Sequence, residues 1–181
     1  MKKKNFILLL VVLLPALFYG QKYITRTGSL KFEASVPAFE EVAAENKSVS
    51  AALNASNGDM AVLALMKGFR FKVALMEEHF NESYAETDKY PKATFKGKIV
   101  DLDVTKLSEK PQKLTIKGEL TLHGKTKQIT DVANVSMSKE GVIITGDFTV
   151  KPADFDIKIP RVVRKKVADT VSIYYNLSLS K

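Results

Sequence analysis

The 181-residue sequence contains no cysteine, and this absence excludes several kinds of protein. Without thiols the chain forms neither disulfide bonds nor thiolate metal sites. A lipid anchor attached to a cysteine is excluded for the same reason. A chain of this length can form a stable domain without disulfides because it can bury a sizeable core.

Histidine is almost as scarce, since His79 and His123 are the only two. Two histidines without cysteine rarely hold a metal ion unless carboxylates join them. The strand pattern places His123 on a polar face at a strand end, which predicts a turn histidine with a local hydrogen bond. His79 falls on a predicted helix, where packing or a carboxylate partner explains it. We therefore expect no metal site.

The sequence also lacks the motifs of common catalytic centres. It has no nucleophile elbow, no phosphate-binding loop and no HExxH pattern. The carboxylate pairs Glu40-Glu41 and Glu77-Glu78 are adjacent in sequence. On a helix, neighbouring side chains point in different directions and do not share a site. We expect a protein that is not an enzyme and that uses no cofactor.

A single long apolar run is present, and it lies at the N-terminus. Residues 6–19 carry no charge and follow the basic start Met1-Lys2-Lys3-Lys4. The run is shorter than the roughly 20 residues that a membrane-spanning helix needs, which argues against the alternative of a retained membrane anchor. A basic start and a short apolar run predict a secretory signal peptide over residues 1–20. The mature domain, residues 21–181, is then periplasmic or secreted, with no stable membrane anchor after cleavage.

The positive charge is mild and dispersed. The formal net charge is +8, from 28 basic and 20 acidic residues. Three of the basic residues are signal-peptide lysines, so the mature chain keeps 25 and a net charge of +5. No dense basic stripe with interleaved aromatic residues occurs, and we expect no nucleic-acid partner.

Alternation of apolar and polar residues is the clearest pattern that the sequence does contain. Between Lys113 and His123, apolar side chains and one glycine share one face of an extended chain: Leu114, Ile116, Gly118, Leu120 and Leu122. Strict period-two alternation predicts a strand with one dry and one wet face. Residues 167–179 alternate in the same way and predict a long final strand.

The sequence departs from simple alternation in two places, and each departure predicts a different structural feature. Phe95 and Ile99 share one phase, whereas Val100 and Val104 share the other. This one-residue slip predicts a β-bulge at Ile99-Val100. Apolar residues at helical spacing predict one short amphipathic helix over residues 71–82.

Seven to nine evenly spaced strands and one short helix indicate an all-β fold, an antiparallel sheet closed on itself. Several predicted strands are about ten residues long, against a typical five or six. Long one-sided strands are typical of an extended barrel. A barrel of about eight strands is either filled by its own side chains or has room for one small ligand.

Five segments of the chain carry a family resemblance. They are His79-Phe80, Lys89-Tyr90-Pro91-Lys92-Ala93-Thr94-Phe95, residues 118–127 (GELTLHGKTK), Asp154-Phe155-Asp156-Ile157, and the Val-x-Ile of the final strand. In combination they resemble the YceI-like family over essentially the whole mature chain. The resemblance implies an extended eight-stranded antiparallel lipocalin-like β-barrel, usually periplasmic or secreted. It also implies that the interior binds a long apolar ligand, a polyisoprenoid or an isoprenoid quinone.

The candidate ligand-binding residues are mostly aromatic side chains that could line a long apolar slot. They are Phe69, Phe71, Phe80, Phe95, Leu120, Phe148, Phe155 and Tyr175. The alternative for each is that it fills the core. The corresponding alternative for the protein is a filled barrel that serves as a structural or protein-interaction module of the cell envelope.

Two further expectations concern the ends and walls of the barrel. The basic segment Arg161, Arg164, Lys165 and Lys166 could meet an anionic head group at the barrel mouth. Gly118 and Gly146 are inward positions without side chains, so we expect a ligand to lie closest to the backbone there. The apolar lipid is the expected partner, and the sequence leaves a homodimer open.

Overall fold

The computed structural model describes residues 22–37 and 39–181, so the predicted signal peptide lies outside the described residues. Strands make up most of the chain. They are β1 Lys22–Ser35, β2 Ala43–Asn54, β3 Asp59–Leu65, β4 Arg70–Phe71, β5 Lys92–Ile99, β6 Gln112–Leu122, β7 Lys125–Met137, β8 Gly141–Val150 and β9 Val167–Ser180.

Eight of these strands close into an antiparallel barrel, which confirms the predicted fold class. The hydrogen-bonded order is β1-β9-β8-β7-β6-β5-β3-β2, and β1 pairs with β2 to complete the circle. The two-residue β4 adds to β2 outside the circle, through Ala44↔Phe71 and Glu45↔Arg70. Each of the eight strands is therefore paired with two neighbours over at least part of its length.

The alternating stretch forms β6 as predicted. Ile116 on its apolar face is buried, whereas Lys113, Lys117 and Glu119 on the opposite face are exposed. Apolar side chains therefore point into the barrel, and the charged side chains face solvent. The long final strand β9 is also confirmed, over Val167–Ser180.

The predicted β-bulge at Ile99-Val100 is wrong. Strand β5 ends at Ile99, and the chain turns at Val100 and Asp101. Asp101 has a φ of +54°, a left-handed conformation that ends the extended chain. The slip in apolar phase therefore marks the end of a strand and not an extra residue within one.

The α-helix of the described residues lies between β4 and β5, and its π-helical continuation runs two residues beyond the predicted range of 71–82. Helix α1 spans Ala74–His79, and the wider turns of a π-helix continue it over Phe80–Tyr84. Glu77 holds the helix to the segment before it, since its carboxylate accepts hydrogen bonds from Arg70 Nη1 (2.7 Å) and Phe71 N (3.1 Å). None of the described helices is long and apolar enough to cross a membrane.

The two ends of the barrel differ in their packing. The end with the β2–β3, β5–β6 and β7–β8 connections is solidly filled. Its apolar side chains are almost completely inaccessible: Val49, Leu53, Ile99, Val135, Val142, Ile144 and Leu179. The other end carries α1 and the β8–β9 connection, and its interior is hollow. One half of the barrel is therefore filled by its own side chains, and the other half has room for a small ligand.

Candidate ligand-binding cavity

The hollow half of the barrel encloses an apolar cavity of about 490 Å³. This volume falls within the range of roughly 300–1,000 Å³ that is usual for small-molecule sites. Inward residues of the strands form its wall, from Leu122 near the mouth to Ile116 near the floor. The seven residues of β6 from Ile116 to Leu122 span roughly 20 Å of strand, which makes the cavity elongated.

Three connections surround the mouth. Residues 36–42 join β1 to β2, residues 66–91 contain the helix, and residues 151–166 join β8 to β9. Side chains from all three line the cavity, among them Val42, Leu75, Met76, Ile159 and Val163. Leu75 is 58% exposed, so the apolar lining continues to the protein surface.

Four phenylalanines pack together beneath the helix. Phe32 on β1 is at the centre, with ring centroids 5.5 Å from Phe69, 5.6 Å from Phe71 and 5.4 Å from Phe80. These tilted and stacked contacts are favourable arrangements for aromatic rings. The prediction named three members and missed Phe32. The available signal was its inward phase on β1, which it shares with Leu30 and Ala34.

Phe95 lies flat against the opposite wall. Its ring covers Gly97 on its own strand and Gly118 on β6, which are paired across the ladder. A Cβ on Gly118 would lie only 2.7 Å from Phe95 Cζ. The expectation that a ligand lies against the backbone at Gly118 is therefore wrong, because an aromatic ring already occupies that space.

Tyr175 occupies the corresponding space at Gly146. A Cβ on Gly146 would lie 2.5 Å from Tyr175 Cζ and would overlap the hydroxyl group. The missing side chain lets the ring of Tyr175, on β9, pass over β8 and reach Asp131 on β7. The Tyr175 hydroxyl donates a hydrogen bond of 2.6 Å to Asp131 Oδ2. The expectation at Gly146 is wrong for the same reason as at Gly118.

This hydrogen bond lies where the backbone ladder between β7 and β8 has stopped. The two strands pair only from Asn134↔Thr145 to Met137↔Val142, near the filled end. Above that level, β7 pairs only with β6, and β8 only with β9. The Tyr175–Asp131 bond is thus a side-chain link across a seam in the barrel wall.

Phe155 does not line the cavity, in contrast to the other seven candidate residues. It ends the 3₁₀ turn Pro152–Phe155 and is only 2% exposed. Together with Gln128, Ile129 and Val150 it borders a second pocket, beside the seam. Its ring is therefore buried next to residues of β7 and β8.

His123 holds this turn in place, and the prediction of a local hydrogen bond is wrong. Its Nδ1 lies 2.9 Å from the carbonyl oxygen of Phe155, and its Nε2 lies 2.8 Å from Glu86 Oε2. Because a carbonyl only accepts, Nδ1 carries a proton. The side chain is buried (7% exposed) and packs on the ring of Tyr90 at 4.2 Å.

The backbone explains why alternation fails at His123. His123 (φ +49°) and Gly124 (φ +72°) form a two-residue turn with both φ values positive. Such turns are favoured in tight hairpins because their twist matches that of the flanking strands. The strand ends at Leu122, so the face rule for strands no longer applies to the next side chain.

The basic segment lies beside the mouth. Lys166 lines the cavity together with Val163, and Arg161, Arg164 and Lys165 are exposed nearby in sequence. None of these four side chains forms an ion pair with a residue in the described ranges. The described residues also contain no group of three His, Asp or Glu side chains placed to hold a metal ion.

Comparison with protein families gives a match over most of the chain. The family model described as YceI-like domain matches residues 23–179. No curated protein matches the sequence. The family match includes the helix, every residue of the cavity wall and all nine strands except Lys22 of β1 and Ser180 of β9.

Solved structures share the fold at low sequence identity. A polyisoprenoid-binding domain from Saccharophagus degradans, implicated in plant cell wall breakdown, has a TM-score of 0.74 and 16% identity over 88% of this chain and 97% of its own. BcnA from Burkholderia cenocepacia has a TM-score of 0.69 and 19% identity over 84% of this chain and 96% of its own. The YceI protein of Campylobacter jejuni has a TM-score of 0.56 and 18% identity over 75% and 83% of the two chains.

Proposed function

This chain belongs to the YceI-like domain family, and we propose that its barrel binds a long apolar ligand, a polyisoprenoid or an isoprenoid quinone. The observation that carries the proposal is the elongated apolar cavity in one half of the barrel. The structural similarity to a polyisoprenoid-binding domain supports the same class of ligand.

The driving force would be removal of the ligand from water. Each buried CH₂ group contributes about 0.8 kcal/mol, so a few isoprene units suffice for tight binding without a charged contact. Phe69, Phe71 and Phe80 would contact the chain near the mouth. Phe95, Leu120, Phe148 and Tyr175 would contact it along the wall. The protein would act as a binding protein and not as an enzyme.

The place of action that we propose is the periplasm or the exterior of the cell. The basic and apolar residues of the N-terminus support export through a cleaved signal peptide. Intact mass of the protein isolated from its own host tests this directly. A mass that corresponds to the chain beginning near Gln21 is expected, and a full-length mass would contradict export.

Native mass spectrometry of the protein from its own host, followed by lipid extraction, tests the binding function. We expect a bound lipid of isoprenoid mass. Val62→Trp, which fills the cavity, should remove the lipid. Ala61→Trp is the matched control, because Ala61 is the neighbouring residue on β3 and is exposed.

The alternative, a structural or protein-interaction module without a small-molecule ligand, gives the opposite result. Wild-type protein would then carry no lipid and would bind no added isoprenoid analogue. Since the sequence contains no tryptophan, each variant carries a single one. Its fluorescence shows whether the new indole is in an apolar interior or in water, which verifies the design of both variants.

A further inference from the structure

Asp131 brings a carboxylate to the floor of a mainly apolar cavity. On the inward face of β7, Ile129 precedes it toward the mouth and also lines the cavity. Ala133 follows it and is fully buried in the filled half. Asp131 therefore lies at the boundary between the hollow and filled halves, opposite Ile116 on β6.

One oxygen of the Asp131 carboxylate accepts a hydrogen bond from a side chain, and the other accepts none from the described side chains. Oδ2 accepts the hydrogen bond from the Tyr175 hydroxyl at 2.6 Å. No other side chain in residues 22–37 and 39–181 hydrogen-bonds to Asp131. Because Asp131 lines the cavity, its carboxylate is available to whatever occupies the floor.

Tyr175 is fixed as the donor of this pair. Burial raises the pKa of the Tyr175 hydroxyl well above its ordinary value, and the hydrogen bond to Asp131 raises it further. The phenol therefore keeps its proton, and the carboxylate acts as the acceptor. An acceptor with a free oxygen calls for a hydrogen-bond donor from the ligand.

A purely structural role for Asp131, as a link across the seam, accounts for only one of its two carboxylate oxygens. Linking β7 to β8 and β9 across the seam needs one acceptor oxygen, which an asparagine or a serine would also supply. Asp131 is half-buried, and a ligand that fills the floor removes water from the second carboxylate oxygen, which is costly unless the ligand supplies a donor. The Asp131 carboxylate can therefore accept more hydrogen bonds than the link across the seam requires.

We infer that Asp131 and Tyr175 form a recognition site for a hydrogen-bond donor at the buried end of the ligand. The ligand class is an apolar chain that carries a hydroxyl or ammonium group on the end that reaches the floor. This inference rests on the proposed binding of apolar chains and specifies their chemistry. It distinguishes such a chain from a plain hydrocarbon tail of the same length.

Matched fatty acids provide the probes for a test. Each of a series of unbranched acids is compared with the acid of equal length that carries a hydroxyl on its terminal carbon. Affinities are measured by displacement of N-phenyl-1-naphthylamine, a neutral apolar fluorophore. The measurements are made on wild-type protein, on Asp131→Leu, and on the control Asp147→Asn, which changes an exposed carboxylate on β8.

In wild-type protein the hydroxy acid is expected to bind at least as tightly as the plain acid. In Asp131→Leu the preference should shift toward the plain acid by about tenfold or more, because the buried hydroxyl loses its acceptor. The control should keep the wild-type ratio. If Asp131→Leu alters both affinities equally, the inference is overturned. If neither acid displaces the fluorophore from wild-type protein, the proposed apolar-chain binding itself fails.

A second variant keeps the test valid if Asp131→Leu does not fold. Asp131→Asn preserves the shape and one acceptor oxygen but removes the charge. It should weaken the acid with a terminal ammonium group by about tenfold relative to the acid with a terminal hydroxyl. An unchanged ratio between these two probes would overturn the inference.

Discussion

His123 donates a hydrogen bond from Nδ1 to the carbonyl oxygen of Phe155, although 32 positions separate the two residues. The contact joins the β6–β7 turn to the 3₁₀ turn after β8. Through Nε2 the same ring contacts Glu86 in the connection that contains the helix. One buried side chain therefore joins three segments at the open end of the barrel.

Replacing His123 by Asn is expected to lower the free energy of unfolding by about 2 kcal/mol. Asparagine tolerates the positive φ at this position, so the loss reports the two hydrogen bonds together with the packing of the imidazole on Tyr90 and not backbone strain. Guanidinium denaturation measures it. His79→Asn is the matched control, since His79 is exposed, and it should change stability by at most about 0.5 kcal/mol. Equal losses in the two variants would refute this role for His123.

Two glycine-to-alanine changes should differ in cost. At Gly118 a Cβ would overlap the backbone carbonyl of Lys96, and the paired strand has no room to move away. At Gly146 it would overlap only the ring of Tyr175. We expect Gly118→Ala to destabilise by about 1–3 kcal/mol and Gly146→Ala by less. In a Tyr175→Leu background the cost of Gly146→Ala should fall further, whereas that of Gly118→Ala should not.

Tyr175 should remain protonated in the folded protein at alkaline pH. Its pKa is raised by burial and by the hydrogen bond to Asp131. Ultraviolet titration of phenolate should therefore be the same for wild type and Tyr175→Phe up to about pH 12. Because the folded-state pKa lies above the unfolded value, the stabilisation is complete below about pH 10 and declines above it. Tyr175→Phe should thus lose stability less steeply above pH 10. A phenolate signal near pH 10 that disappears in the variant would contradict the burial of this hydroxyl.

Charge reversal of the basic segment should weaken anionic ligands selectively. The variant replaces Arg161, Arg164, Lys165 and Lys166 by Glu. Exposed ion pairs contribute about 0.2–1 kcal/mol each, so farnesyl diphosphate should bind roughly tenfold more weakly. Farnesol, which has no charge, should bind as before, and added salt should reduce the difference between the two ligands.

A control with the same change in net charge replaces four exposed lysines on the outer faces of β5 and β6 by Glu. These are Lys96, Lys98, Lys113 and Lys117. The control should leave both affinities at the wild-type level. Unchanged binding of farnesyl diphosphate by the variant of the basic segment would exclude an anionic head group at the mouth.

The barrel fold could be predicted from the sequence because each strand is indicated by residues that are neighbours along the chain. The alternation of Leu114, Ile116, Leu120 and Leu122 depends only on neighbours along one strand, and the structure places all four inward. Phe95, Leu120, Phe148 and Tyr175 lie on barrel strands and line the cavity for the same reason. The other three candidate residues that line it, Phe69, Phe71 and Phe80, come from the connection between β3 and β5. Phe155 does not line the cavity, because the 3₁₀ turn that positions it has no strand periodicity.

The features that sequence reasoning missed depend on contacts between distant residues. The sequence around His123 is typical of a turn, and the hydrogen-bond partners of its side chain lie 32 and 37 positions away. Asp131 lies in phase with Ile129 and Ala133, so its inward direction could have been predicted. Its charge argued against burial, and its partner Tyr175 is 44 positions away. The sequence contains no local signal that the β7–β8 ladder stops at Asn134.

The seam between β7 and β8 bears on how the barrel can change its circumference. Between β5 and β6, widening would break a row of backbone hydrogen bonds at once. At the seam, widening at the level of the cavity requires that the Tyr175 hydroxyl leave Asp131. We therefore expect the cross-section of the cavity to adjust along the seam, while the filled half maintains the strand register. Ligands of different thickness are then expected to fit without a rearrangement of the sheet.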